Sequence, residues 1–278
     1  MSGHSKWSTI KRAKGAADAK RGALFTKLAR NISLAAKEGG GGDPDMNFRL
    51  RIAIDQARSN NMPQDSITRA VRRGTGESGE GMVDLSEVTY EGYGPSGGAI
   101  LVQALTDNRN RTASEVRSAF NKGGGNLGDA GCVAWNFDSR GVITLEVDDE
   151  AVAEELSLAA IDAEADDVKF EDGILEVYTA PENLLSVKSA LESEGAEPSS
   201  ADIAMVPKTV VPLENKAAEQ TLRLLDILED LDDVQKAYTN ADFPAEALER
   251  RTPPRSIQGC TTGPLQCAQL HLGDHDAR

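Results

Sequence analysis

Apolar residues recur at helical spacing through the first quarter of the chain and at strand spacing after it. Between Asp18 and Glu38, Leu24, Leu28, Ile32 and Ala35 or Ala36 share one stripe, and Gly39 ends the run. Gly39 to Gly42 reads as a flexible connector. Asp43 and Pro44 read as an N-cap with proline at the first helical position. The helix they open carries Leu50, Ile54 and Ala57 on one stripe to about Asn60. Pro63 opens a third helix, Gln64 to Arg73, which Gly74 closes. Three short amphipathic helices with short loops predict a small bundle.

After a linker-like stretch, GTGESGEGM at 74–82, the period changes. Val88 to Tyr93 and Ala99 to Thr106 read as strands joined by a glycine-rich turn, and Thr112 to Lys122 as a helix with Ala113, Val116 and Phe120 inward. Gly123 to Gly125 breaks it, and Cys132 to Phe137 reads as a strand. A second cycle follows: strand Val142–Val147, acidic helix Asp149–Ala165, hairpin Val168–Phe170 and Ile174–Tyr178, helix Pro181–Glu194, strand Ala201–Val206. That order, βαββαβ, fits a ferredoxin-like unit. A helix over Glu214–Leu231 and a strand over Val234–Asn240 close the pattern. The first α+β unit lacks elements unless these last two return to finish it, so the second unit reads as an insertion. The expected fold is α+β. A three-helix bundle (1–75) precedes a discontinuous α+β domain (82–137 plus 207–248), which holds an acidic ferredoxin-like domain (138–206). The segment 251–278 has no periodicity and reads as a disordered tail.

Charge changes this picture more than composition does. Residues 1–75 hold fifteen Lys and Arg against six Asp and Glu, while residues 76–250 hold twelve against thirty-seven. The net charge of −15 therefore conceals a basic lobe on an acidic body. At physiological salt the Debye length is about 8 Å, so exposed charges on separate units are largely screened from one another. A basic lobe can then grip phosphate while the body faces away, although a basic face can equally be a merely solvated one. The longest apolar runs, such as Ala99–Val102, fall far short of the ~20 residues that span a bilayer, so no membrane partner is expected. The start, MSGHSKWSTIKRAKG, lacks the apolar core of a signal peptide. Three Cys are too few for a disulfide framework, and a reduced, cytoplasmic setting fits.

Candidate chemistry is sparse. Gly92-Tyr-Gly94-Pro-Ser-Gly97 matches a dinucleotide pattern, but a strand follows where a helix N-terminus must face the pyrophosphate, so it reads as a hairpin turn. Cys267, His271 and His275 have helical spacing, but Gly273 argues against a helix and no fourth ligand is placed. Cys132 lies in an apolar run and reads as a core residue. The acids of 148–167 read as a solvated helix face. No cofactor, metal or catalytic constellation is expected, and the chain reads as non-enzymatic.

The basic segment is richer. Lys6, Lys11, Arg12, Lys14, Lys20, Arg21, Lys27 and Arg30 fall within 25 residues, and on the helix Lys20, Lys27 and Arg30 keep clear of the apolar stripe. Trp7 can stack on a base or pack against the bundle. Asp107-Asn-Arg-Asn-Arg-Thr112 brings Arg109 and Arg111 to a helix N-terminus, where they suit a phosphate. Alternatively an Asn caps that helix and the arginines pair with acids. Aromatics are only 4% of the chain, so phosphate and shape contacts outrank base stacking as the main source of affinity.

Several of these segments together resemble one family. GHSKW at 3–7, Asp18-Ala-Lys-Arg-Gly22 with Phe25-Thr-Lys27-Leu, Gly42-Asp-Pro-Asp45, Asn60-Asn-Met-Pro63, Tyr90-Glu-Gly-Tyr-Gly-Pro95 and Thr106-Asp-Asn-Arg-Asn-Arg-Thr112 occur in the order seen in the YebC/PmpR family. A mitochondrial translational activator of cytochrome oxidase belongs to that family. The resemblance covers about residues 2–248. It implies three domains, one inserted in another, and a cytoplasmic, non-enzymatic nucleic-acid-binding regulator. By position it implies a nucleic-acid face at Lys6, Lys11, Lys20, Arg21 and Lys27, with Arg109 and Arg111 as a second contact. Three functions compete: a DNA-binding transcriptional regulator, a translation factor that binds ribosomal RNA on the ribosome and relieves stalling at proline-rich stretches, and an acidic scaffold for a basic protein.

Overall fold

The computed structural model describes residues 18–77, 85–244, 246 and 247. Lys6, Trp7, Lys11, Arg12, Lys14, most of the expected linker and the 251–278 tail lie outside the described residues. The first three elements are helices: α1 (Asp18–Glu38), α2 (Phe48–Ser59) and α3 (Gln64–Thr75). Their stripes meet in one core of Leu28, Ile32, Ala36, Leu50, Ile54, Ala57, Met62 and Ile67.

Two helix boundaries differ from the sequence reading. The second helix is not capped by Asp43; Asn47 caps it, its side chain accepting from Leu50 N–H at 3.1 Å. The same side chain donates to the Ala35 carbonyl at 2.8 Å, which locks the end of α1 to the start of α2. Asp43 instead closes a tight turn by accepting from Asp45 N–H. Gly74 does not end the third helix. It lies inside α3, and a Cβ there would stand 2.3 Å from the Ser33 carbonyl oxygen and 2.8 Å from Ala36 Cβ. The glycine thus allows α1 and α3 to touch backbone to backbone, beside the Ser33 hydroxyl bond to the Ala70 carbonyl. Gly76, with φ of 80°, supplies the left-handed cap.

The rest of the chain is α+β. The first sheet has the order β3-β1-β2-β9, from β1 (Ser86–Tyr93), β2 (Ala99–Thr106), β3 (Asn126–Leu127) and β9 (Val234–Thr239). Helices α4 (Arg109–Lys122) and α7 (Asn215–Glu229) cover one face, packing Val116, Phe120, Leu222 and Leu225 on Ile100, Val102 and Ala104. The alternate residues Ala99 and Leu101 pack on the other face with Val133, Phe137 and Tyr238. Burial on both faces explains the apolar run Ala99–Val102 that opens β2.

The second sheet has the order β5-β6-β4-β7, from β4 (Phe137–Glu146), β5 (Asp167–Glu171), β6 (Ile174–Thr179) and β7 (Ser200–Pro207), all antiparallel. With α5 (Glu150–Asp162) and α6 (Leu184–Ser193) it makes the βαββαβ unit. Its core joins Ile143, Leu145, Leu175 and Val177 to Ala153, Leu156, Val187 and Leu191. After β7 the chain passes through β8 (Val211–Pro212), which pairs with β10 (Ala241–Asp242), and α7 to β9, the edge of the first sheet. The second unit is therefore inserted in the first. Among the described residues, no helix is long and apolar enough to cross a membrane.

Cys132–Phe137 is not a strand. Residues 128–136 form a loop ending in a 3₁₀ turn at Ala134–Asn136, and one long strand starts at Phe137. The cause is Glu91, a buried residue of β1. Its carboxylate accepts from the N–H groups of Gly131 (2.6 Å), Val133 (2.7 Å) and Ala134 (2.7 Å), so those amides serve a side chain and not a ladder. Burial raises the Glu91 pKa, but the three donors outweigh it and hold the carboxyl below its usual value.

Replacing Gly74 with Ala should lower stability by about 1–3 kcal/mol, the usual effect of overpacking a tight contact. The midpoint of urea unfolding, followed by helical signal, checks this; an unchanged midpoint would show that α1 and α3 can separate freely.

Candidate nucleic-acid interface

The basic face of α1 splits into an outer and an inner part. Lys20 lies in the first turn, and Arg21 is exposed. Lys27 and Arg30 point at the turn between α7 and β9. Lys27 Nζ donates to the Glu229 carbonyl at 2.5 Å, at the C-terminal end of α7, where the helix dipole favours a cation. Arg30 Nη1 donates to the Asp232 carbonyl at 2.8 Å and to Asp233 Oδ1 at 3.0 Å.

The loop before α4 ends at the same carboxylate. Asn108 caps α4 by accepting from Arg111 N–H at 3.1 Å. Arg111 Nη2 then reaches Asp233 Oδ2 at 2.7 Å and Asp107 Oδ1 at 2.8 Å. The Thr112 hydroxyl lies 2.8 Å and the Thr106 hydroxyl 3.2 Å from the same Oδ2. Asp233 is 3% exposed. Burial alone would raise its pKa. The hydrogen bonds from Arg111 and Thr112, and the charges of Arg111 and Arg30, outweigh that and hold the carboxyl below its usual value. Arg109 remains exposed, its Nε 3.3 Å from Ser86 Oγ.

The structure thus brings Arg30 and Arg111 together, but on an internal acid. Lys27, Arg30 and Arg111, read from sequence as phosphate contacts, here bond the protein's own oxygens. Their reach to the turn after α7 was invisible because that turn lies 202 or 203 residues from Lys27 and Arg30 and 122 residues from Arg111. Asp233 itself has no sequence signal among its neighbours Asp230 and Asp232.

The cations that face outward are on α3. Arg69 and Arg72 are exposed and pair with no carboxylate among the described residues; Arg69 Nε makes only a long bond, 3.4 Å, to the Asp65 carbonyl. Arg73 is exposed beside them. Elsewhere on the bundle the arginines are paired: Arg49 with Glu38 at 2.6 Å and Glu87 at 3.6 Å, Arg58 with Asp55 at 3.6 Å. A cleft of about 350 Å³ where the bundle meets both sheets mixes Lys27, Arg49 and Lys236 with Glu87 and Asp202, so neither sign prevails there.

Asp233 carries a pH signature. A carboxyl with a depressed native pKa stabilises the fold above its unfolded value, about 3.9, and loses that contribution as pH falls through the native value. Asp233→Asn should lower stability at pH 7 by about 2 kcal/mol, as for hydrogen bonds to charged groups. The gap to the wild type should narrow below about pH 4. Urea unfolding of both proteins at pH 7 and at acid pH checks this, and a gap independent of pH would exclude the carboxylate as its source.

Comparisons with known proteins agree with this architecture. Residues 5–77 match the TACO1/YebC protein N-terminal domain, and residues 85–241 match the TACO1/YebC second and third domain. A protein of Trichlorobacter lovleyi named probable transcriptional regulatory protein is 55% identical over 250 residues, which cover 90% of this chain and 99% of that protein. A Chloroflexus aurantiacus protein of the same name is 53% identical over 253 residues, with the same coverage of 90% and 99%. The crystal structure of a conserved hypothetical protein from Aquifex aeolicus has a TM-score of 0.73 and 44% identity, covering 82% of this chain and 92% of that one. With both matches covering most of its length, the chain belongs to the TACO1/YebC family.

Proposed function

We propose that this chain is a cytoplasmic, non-enzymatic regulator of gene expression that grips nucleic acid with its helical bundle. The observation that carries this reading is the outer face of α3, where Arg69 and Arg72 stand exposed without a carboxylate partner among the described residues. They sit on the unit whose first 75 residues carry fifteen basic side chains against six acidic ones. Positions three apart on a helix are neighbours on its surface, so the two guanidinium groups serve one stretch of backbone. The acidic body as a whole disfavours phosphate, which leaves the bundle as the main phosphate contact. The name of the relatives, probable transcriptional regulatory protein, supports transcription as the process regulated.

A second reading, a ribosome-associated factor that binds ribosomal RNA, is favoured by the other end of α3. A helix that reads bases presents Arg, Asn or Gln at its N-terminal end. Here Pro63, Gln64 and Asp65 stand there, so only Gln64 suits a base edge and Asp65 adds a negative charge. The arginines lie toward the C-terminal end, where they suit phosphate and shape, the features by which folded RNA is recognised.

The double substitution Arg69→Ala and Arg72→Ala should weaken binding to a duplex and flatten the slope of log K against log salt by about 1.8, at roughly 0.9 per lost phosphate contact. Unfolding should stay within about 0.5 kcal/mol of the wild type, since these side chains are exposed. Fluorescence anisotropy of a labelled promoter duplex between about 50 and 200 mM salt reads the slope. An unchanged slope would remove α3 from the interface.

A further inference from the structure

The loop held by Glu91 displays an aromatic side chain that the fold does not use. Trp135 is 66% exposed, and Tyr93, from the end of β1, is 39% exposed. The Trp135 Nε1–H donates to the Cys132 carbonyl at 2.9 Å, and the Tyr93 hydroxyl donates to that same carbonyl at 3.1 Å. One oxygen therefore fixes the polar edges of both rings. The indole has its hydrogen bond already, so its exposure is not explained by a need to reach water.

The oxygen is itself fixed. On either side of Cys132, the N–H groups of Gly131, Val133 and Ala134 end on the Glu91 carboxylate, and Val133 is buried against Leu101, Phe137 and Tyr238. Asn136 anchors the far end, its Oδ1 accepting from Thr209 N–H at 3.1 Å and from the Thr209 hydroxyl at 2.7 Å. A cation stands at the same residue as the ring: Lys208 Nζ donates to the Trp135 carbonyl at 3.2 Å, half exposed, with Asp138 at 3.0 Å as its counter-ion. A flat apolar face matches the base of a nucleotide, and the ammonium at the backbone of the same residue can meet a phosphate of the same strand.

We propose that Trp135, with Tyr93 bound to the same carbonyl oxygen, is a stacking platform for an unpaired nucleobase. The proposal rests on the nucleic-acid reading above and adds a single-stranded target to it. The platform does not select a sequence, because the polar groups at the rings bond the protein's own backbone and every base has a stackable face. It also differs in place and chemistry from the arginines of α3, which suit any phosphate backbone.

The test uses the full chain and a single-stranded RNA oligonucleotide carrying 2-aminopurine, whose fluorescence falls when the base stacks. Wild-type protein should quench the probe. Trp135→Ala should abolish the quenching and weaken binding about tenfold or more. Trp135→Phe should retain most of both. Unchanged urea midpoints in the two variants would show that the loop still folds. Equal quenching and affinity in wild type and Trp135→Ala would overturn the platform. Wild-type binding to a duplex but not to the single strand would overturn the platform alone. Binding to neither would overturn the platform and the nucleic-acid reading together.

Discussion

A single buried carboxylate, that of Asp233, holds the molecule's unlike parts in register. Arg30 comes to it from the helical bundle, Arg111 and Thr112 from the start of α4, and Thr106 from the end of β2. Its own carbonyl accepts from Leu105 N–H at 2.8 Å, which fixes β9 against β2 just where the chain re-enters the first sheet. The inserted unit therefore leaves from and returns to a sheet closed at this point. A buried acid stripped of its cations is strongly unfavourable, whereas one with a full set of donors enforces a single arrangement. Here two guanidinium groups and two hydroxyls surround it.

The junction also sorts the charge. Lys27 and Arg30 face the acidic body, and Arg49 adds a bond to Glu87 of β1. With those cations directed inward, the outward charge of the described bundle falls to α3 and to Arg21 on the first turns of α1. The body keeps its thirty-seven acids against twelve bases over residues 76–250. The bundle's inward cations thus meet acids of the body at the junction, while Arg69 and Arg72 face outward, an arrangement that favours phosphate at α3. Because screening cuts off the body's repulsion within about 8 Å, a phosphate chain on α3 is governed by local cations and not by the net charge.

Much of the fold was legible because it rests on local pattern. The helical stripes of α1 to α3, the apolar run of β2 and the βαββαβ order all follow from spacing, and the shortage of elements in the first α+β unit pointed to β9 as its missing strand. What was not legible depends on partners far along the chain. Asn47 displaced Asp43 as a cap because it could also reach Ala35. Cys132–Phe137 has strand composition, yet Glu91 takes its amides; the turn-forming Gly128, Asp129 and Gly131 on one side and Asn136 on the other were the available hint. The same strand reading gave no reason to single out Trp135, which the loop leaves 66% exposed. In the candidate site, sequence identified the basic unit but could not divide its cations into structural and outward ones. Lys27 and Arg30 differ from Arg69 and Arg72 only in what the fold places opposite them.

On the proposed function, nucleic acid meets the helical bundle while the acidic inserted unit stays clear of it. Ultraviolet cross-linking of the full chain to promoter duplex and, separately, to purified ribosomes, followed by mass spectrometry of the attached peptides, tests it most directly. With whichever target the chain binds, cross-linked peptides are expected from residues 1–77, α3 among them, and, where the target offers an unpaired base, from the loop that carries Trp135. Cross-links confined to residues 138–206, or none with either target at low salt, would contradict it.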